Sequence, residues 1–341
     1  MKKTICIIGL CLLFSSLSFS RQMGTAGDIN QRLGRGINMG STFEAPSEDG
    51  WNNPWKPEYF KIMADMGFSH VRVPICWELD YRSMNEPPYT IYPVFFERIK
   101  TVVNEALKNK LHVVINMHHH EKLLKDPLEQ KERFLSQWKQ ISDYFKNYPD
   151  SLVFEILNEP NGKLTPEIWN TFASEALSIM RETNPDRTIM IASADNSIDG
   201  LAKLQLPKDN NLILTVHYYN PFYFTHQGVS WGNTVPPVGV KWNDTEKERE
   251  AIFSDFELVE KFSKEHNIPI HIGEFGAYEK ADMDSRARWA TFLSRFFDER
   301  GYSWAYWEFS SSFGIYNPRD KTFYKPLANA LLHSPMPEPM K

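Results

Sequence analysis

Two glutamates stand at the ends of short apolar runs far apart in the chain: Glu159 closes Leu152-Val153-Phe154-Glu155-Ile156-Leu157-Asn158-Glu159-Pro160, and Glu274 lies in Pro269-Ile270-His271-Ile272-Gly273-Glu274-Phe275-Gly276. Each run has the length of a buried strand and breaks at Pro or Gly. A carboxylate at the C-terminal tip of a parallel strand sits at the mouth of an α/β fold, where ligands bind. Two such groups, one giving a proton and one attacking as nucleophile, are the machinery that cleaves a glycosidic bond.

The elements that would bring the two together recur along the chain. Apolar or β-branched runs span Gly34 to Gly40, His70 to Ile75, His112 to His118, Leu152 to Glu159, Thr188 to Ser193, Leu212 to Tyr219, Pro269 to Gly276 and Ser303 to Phe309. Between them, Phe95 to Lys110, Phe134 to Asn147, Pro166 to Asn184, Glu248 to Asn267 and Asp284 to Arg300 carry apolar residues at three- and four-residue spacing, the mark of amphipathic helices. Pro166 after Thr165 reads as a capped helix start. Strand and helix alternating eight times predict an α/β fold, a single (β/α)8 barrel. The competitor, a doubly wound open sheet, would want a Gly-x-Gly-x-x-Gly after its first strand, and the chain has none.

Lys2 and Lys3, an apolar run from Ile5 to Phe14 and the small or polar stretch ending at Ser20 predict a cleaved leader over 1–20. That run is too short to span a bilayer. A lipoprotein would need a small residue before the cysteine, whereas Leu10 precedes Cys11. Residues 21–333 are then the catalytic domain, and 334–341, rich in Pro, are a flexible tail. The localisation expected is secreted or periplasmic, with no membrane contact after cleavage. Of the three cysteines only Cys76 survives cleavage, so no intramolecular disulfide forms and the core must supply stability. A net charge of -5 without a basic block excludes nucleic acid as a partner. The expected partner is a polysaccharide or oligosaccharide of the plant-cell-wall type, met by a monomer; no cofactor is expected.

The C-terminal strand ends collect Asn38, Arg72, His118, Asn158, Glu159, His217, Tyr219, Glu274 and Trp307. One strand-end Arg or His is commonly a structural hydrogen-bonder, but so many polar groups converging on one mouth would waste desolvation energy without a shared task. Glu155, an even number of residues before Glu159, points the same way but deeper and reads as a buried structural carboxylate. Glu308 follows Trp307 directly, so strand alternation turns it to the opposite side. Glu44, in the loop after the first strand, reads as an outer sugar contact or, equally, an exposed charge. His118-His119-His120 invites a metal site, and His217 could add to it, but no Asp ends the eighth strand and no His-Glu-x-x-His occurs. A metallohydrolase and a non-catalytic sugar-binding protein are therefore remote alternatives, and no metal is expected.

At these residues the chain resembles glycoside hydrolase family 5, the retaining cellulase and mannanase family, over essentially all of residues 21–333. The resemblance rests on Arg72 in Val-Arg-Val-Pro, His118 and His119 in Ile-Asn-Met-His-His, Asn158-Glu159-Pro160, His217 and Tyr219 in His-Tyr-Tyr-Asn-Pro, Glu274 in Ile-Gly-Glu-Phe-Gly, and Trp307 in Trp-Ala-Tyr-Trp-Glu-Phe. His217 to Gly228 and Pro269 to Ala277 are similar to a bacterial subgroup active on both β-1,4-glucans and β-1,4-mannans. The resemblance implies Glu159 as acid/base and Glu274 as nucleophile. It makes Asn158 the partner of the sugar 2-hydroxyl, and gives Arg72, His217 and Tyr219 the task of orienting the nucleophile. Trp307 would floor the sugar. Three departures stand out: Gly40-Ser41 replaces the usual Gly-Asn, Ser193-Ala194-Asp195-Asn196 lacks the Trp that follows the fifth strand, and the loop from Gly228 to Trp242 differs. Phe222, Trp231 and Trp242 are left as candidate sugar platforms. The expectation is an endo-β-1,4-glycanase acting on glucan, with mannan as the alternative.

Overall fold

The computed structural model describes residues 23–194, 198–231 and 234–339. The expected leader, 1–20, and Asn196 lie outside the described residues. Eight strands, β1 (Arg35–Asn38), β2 (His70–Val73), β3 (His112–Asn116), β4 (Leu152–Glu155), β5 (Ile189–Ala192), β6 (Leu212–His217), β7 (Ile270–Phe275) and β8 (Ser303–Tyr306), pair in sequence order and close into a parallel barrel. Closure comes from β8 lying against β1, with Arg35 opposite Trp304. A hairpin, β9 (Tyr316–Asn317) with β10 (Thr322–Phe323), follows the barrel. The helices are α1 (Ala26–Leu33), α2 (Glu58–Met66), α3 (Pro93–Lys108), α4 (Glu121–Lys125), α5 (Pro127–Phe145), α6 (Pro166–Arg181), α7 (Phe222–Thr225), α8 (Glu246–His266), α9 (Met283–Glu299) and α10 (Lys325–Leu332). None in the described residues is long and apolar enough to cross a membrane.

The two-residue period of each strand divides its side chains between two environments. Ile37, Val71, Val113, Phe154, Ile191, Leu214, Ile272 and Trp304 point outward into the main core beneath the helices. Val114, Val153, Met190 and Ile213 point into the barrel, where Ala26, Ile29 and Leu33 of α1 close its lower end. Higher in the barrel the inward positions turn polar: Asn38, Arg72, Asn116, Glu155, Thr215 and His271 are all buried. Below them His70 is buried as well, and Gly36 leaves room for its ring, because a Cβ there would come within 2.1 Å of it. The apolar layer thus seals the base and leaves a polar shaft that opens at the C-terminal ends of the strands.

The helix starts follow local chemistry. Thr25 and Thr245 form capping boxes with Asp28 and Glu248, and Pro occupies the first turn of α3, α5, α6 and α10. The strands stop one to four residues before the ends of the expected runs, so His118, Asn158, Glu159, Tyr219 and Trp307 stand on the loops immediately beyond them. A 3-10 turn, Ile198–Lys203, takes the place of a helix after β5. The expected flexible tail is docked as far as Pro337: Met336 packs on the core, and Arg249 donates to the Pro337 carbonyl at 2.7 Å.

Candidate active site

Arg72 is the centre of the site. It points inward from β2, fully buried, and each N–H of its guanidinium has an acceptor. Nε and Nη2 grip the Glu155 carboxylate at 2.6 and 2.9 Å, Nη2 also reaches Asn158 Oδ1 at 2.6 Å, and Nη1 divides between Asn38 Oδ1 and Glu274 Oε1, both at 2.9 Å. Glu155 is therefore the buried structural carboxylate that its position in the sequence indicates. Asn38 is fixed from its other end by donating to the carbonyls of Gly273, Ala305 and Tyr306. Asn158, with its oxygen committed to Arg72, turns its NH2 the other way.

Glu274 receives a second hydrogen bond at Oε2 from Tyr219 Oη, 2.8 Å away. Burial and then the Glu274 charge push the Tyr219 phenol well above its ordinary range, so the tyrosine stays a donor. Across the mouth, His217 Nδ1 lies 2.9 Å from Glu159 Oε1 and 3.6 Å from Glu274 Oε2. Burial works against a charged His217, but Glu274 and Glu159 outweigh it and raise the imidazole. Burial likewise works to raise Glu159, and the hydrogen bond and charge of His217, with the charge of Arg72, hold it below its ordinary range. Each shift favours the charged form of its own group, so the 2.9 Å contact is a charge-assisted hydrogen bond between Glu159 and His217. One ligand-type atom from each of Glu159, His217 and Glu274 lies within 4.8 Å of the other two. Such a trio could in principle grip a cation, yet His217 Nδ1 is already spent on Glu159.

None of the three histidines at 118–120 belongs to that trio, and each has its own contacts. Asn116 donates to His118 Nδ1 at 3.2 Å because its oxygen is taken by the Ile75 N–H. This sets the tautomer of His118, whose Nε2 lies 3.9 Å from Glu274. Burial holds His118 well below its ordinary range, so it stays neutral. Its ring lies nearly parallel to Trp307, at 8° and 5.6 Å between centroids, and His119 meets it edge-on at 4.8 Å. His120 pairs with Glu78 at 3.0 Å, away from the mouth.

Two carboxyls depart from their sequence reading. Glu44 is neither an outer contact nor an exposed charge: it is buried and accepts from the backbone N–H groups of Ser41 and Thr42. Burial pushes it up to about 7, with the Glu274 charge adding to the effect. Glu308 does not turn away from Trp307, because β8 ends at Tyr306 and strand alternation no longer applies. A Cβ on Gly40 would meet Glu308 Oε2 at 2.8 Å and the Trp307 ring at 2.9 Å, so both side chains face the same backbone. Burial pushes Glu308 up to about 8, with Glu44 and Glu274 contributing.

The expected platforms also separate. Phe222 is exposed and stacks on His226 at 4.4 Å, beside a cavity of about 410 Å³ lined by Glu159, His217, Tyr219 and Asp255. Trp231 is exposed and meets Tyr278 edge-on at 5.1 Å. Trp242 is a correction: it is fully buried against Phe292 of α9 while Arg288 holds its carbonyl, so no sugar face can reach it. A larger cavity, about 1180 Å³, lies at the opposite end of the barrel among Thr25, Leu206, Asp209 and Asn267, with none of these carboxylates in it.

A family model described as "Cellulase (glycosyl hydrolase family 5)" matches residues 34–312. Endoglucanase H of Acetivibrio thermocellus is 35% identical over 313 residues, and Endoglucanase A of Clostridium longisporum is 30% identical over 354. Each alignment takes in 90% of this chain, but the chain spans only 33% of the first relative and 65% of the second. Among solved structures, endoglucanase Cel5A of the hyperthermophilic Thermotoga maritima is similar with a TM-score of 0.88 and 48% identity, covering 90% of this chain and 100% of that one. Other structures of that protein are described in complex with mannotriose and with cellobiose.

Arg72→Met leaves Glu155 charged and unpaired in the barrel, and urea unfolding should show a loss of about 3–5 kcal/mol. Adding Glu155→Gln should return part of it. If Arg72→Met unfolds like the wild type, the buried charge is not organised as described. A second expectation concerns pH. The Glu308 carboxyl is raised from 4.5 to about 8, so between those values the folded chain holds a proton that the unfolded chain releases. Its contribution to stability therefore falls as pH rises through that window. In melting curves from pH ~5 to ~8, Glu308→Gln should gain on the wild type as pH increases. A constant difference across the window would place the Glu308 proton elsewhere.

Proposed function

The chain belongs to glycosyl hydrolase family 5, the cellulase family, and from that premise we propose that it is a retaining endo-β-1,4-glycanase that cleaves β-1,4-glucan by double displacement. One observation carries the stereochemistry: an oxygen of Glu159 and an oxygen of Glu274 lie within 4.8 Å of each other. Retaining enzymes hold their carboxyl groups about 5–5.5 Å apart, whereas inverting enzymes need about 6.5–9.5 Å to admit a water.

In this reading Glu274 is the nucleophile and Glu159 the acid/base. Arg72 and Tyr219 hold both oxygens of Glu274, so one of them is aimed at the anomeric carbon without competing rotamers. As the C–O bond to the leaving sugar breaks, Glu159 delivers the proton it shares with His217 to the leaving oxygen, and Glu274 becomes the glycosyl ester. The ester is neutral, which removes the charge that had stabilised the His217 imidazolium. Glu159, now a carboxylate, takes a proton from the incoming water, which attacks the anomeric carbon and frees Glu274. Asn158 turns its NH2 to the sugar 2-hydroxyl, while Trp307, backed by His118, floors the sugar at the cleavage point. His119, Phe222 and Trp231 extend the contact surface. Export through a leader at 1–20, a single catalytic domain over 21–333 and action as a monomer complete the proposal.

A second reading, cleavage of β-1,4-mannan, draws support from the Cel5A structure described with mannotriose. Glucan and mannan differ in the orientation of one hydroxyl, and the rim residues that would sense it are shared by both readings.

The purified chain should release reducing sugar from carboxymethylcellulose, mixed-linkage glucan and glucomannan; release from galactomannan as well decides for the second reading. Silence on all four contradicts the assignment. With an activated aryl cellobioside, Glu159→Gln should still form its intermediate while Glu274→Gln does not, and azide should restore turnover to Glu159→Ala. Identical behaviour of the 159 and 274 variants would mean the roles are misassigned.

A further inference from the structure

Trp51 lies on the loop between β1 and α2 and is 47% exposed. Single exposed apolar side chains are ordinary on protein surfaces. This loop, however, is firmly tied down. Asn53 donates to the Gly40 carbonyl at 2.9 Å, accepts from Ser310 at 2.9 Å and gives its own carbonyl to Thr42 at 2.8 Å. Arg98 clamps Glu48 with bonds of 2.8 and 2.6 Å, Arg82 reaches the carbonyls of Phe43 and Ala45, and Tyr81 Oη donates to Pro46. A large ring held out to solvent by so rigid a loop loses little entropy when a flat ligand covers it.

The ring also has a direction. Trp51 meets His119 edge-on, at 5.9 Å and 78°. His119 in turn meets His118, and His118 lies parallel to Trp307. Trp51 is thus the outer end of a row of rings that begins at the floor beside Glu274 and runs over the loops after β3 and β1. Phe222 and Trp231 belong to the loops after β6, so neither is part of this row. Burial lowers both His118 and His119, leaving the row uncharged near neutral pH, which suits the apolar face of a neutral sugar better than an anionic chain.

We propose that Trp51 is the stacking platform of a distal subsite, on the side of the cleft built by the loops after β1 and β3, which takes an additional unit of a neutral β-1,4-linked glycan. The inference rests on the glycanase reading and deepens it by setting where a longer chain gains affinity. Contact at a remote ring is equal in ground and transition states, so it acts on KM and leaves kcat alone.

The test is kinetics of wild type, Trp51→Ala and Trp51→Tyr on cello-oligosaccharides of increasing length. Trp51→Ala should raise KM for the longest members about five- to twentyfold at unchanged kcat, leave the shortest unaffected, and be largely corrected by Trp51→Tyr. Superimposable chain-length profiles for wild type and Trp51→Ala overturn the subsite while leaving the glycanase reading intact. A loss equal at every length, which damage to the fold would cause, overturns it too. A wild type inactive on the whole series removes the glycanase reading and the subsite together.

Discussion

Arg72 carries a full positive charge inside the barrel, with no solvent to share it, and the site is arranged around satisfying that charge. An ion so placed costs several kcal/mol in lost hydration unless good geometry offsets it. Glu155 supplies the matched carboxylate from β4, two residues along β4 from the apolar layer that seals the base. Once that pair exists, the remaining N–H groups must find acceptors, and they find Asn38, Asn158 and Glu274. One buried guanidinium therefore ties β1, β2, β4 and β7 together and fixes three of the groups that face the mouth. The stability of the upper barrel and the alignment of the proposed nucleophile are consequences of the same contacts.

Above this plane the electrostatics are those of crowded carboxyls. Glu274, Glu159, Glu44 and Glu308 surround a small volume, with Arg72 and His217 as the cations that reach into it. Glu44 and Glu308 respond to burial by binding protons more tightly, whereas Glu159 responds to His217 by holding its own less tightly. Identical side chains are thus sorted by environment into different protonation behaviour, which is how one fold can run acid and base chemistry with glutamates alone.

Much of this was legible in the sequence, and the misses have physical causes. The eight strands announced themselves because a strand buried on both faces has little choice but apolar residues, and among the polar exceptions Asn38, Arg72, Glu155 and Glu274 belong to the site while others, such as His70, Thr215 and His271, lie buried in the barrel beneath it. Strand order and closure then followed from alternation with helices. Position beyond the strand ends was harder to read. Trp242 looked like Trp231 in the sequence, yet one is sealed against α9 and the other is exposed, a difference set by loop path alone. Glu44 and Glu308 were misjudged for the same reason: backbone N–H groups and a glycine opposite, features that periodicity does not encode, turned both inward. Trp51 went unremarked because its significance lies in a row of rings drawn from three separate loops.

The central claim is that the contacts around Arg72 hold Glu274 as a nucleophile across a narrow gap from Glu159. Its most direct test is to trap the covalent species. A 2-deoxy-2-fluoro cellobioside with a good leaving group slows both chemical steps, and the second step slows more, so the glycosyl-enzyme accumulates. Peptide mass spectrometry of the inactivated chain should find one fluorosugar, on the peptide that contains Glu274, and none on that containing Glu159. An adduct on Glu159, or turnover of the reagent to a product of inverted configuration without any adduct, would contradict the account.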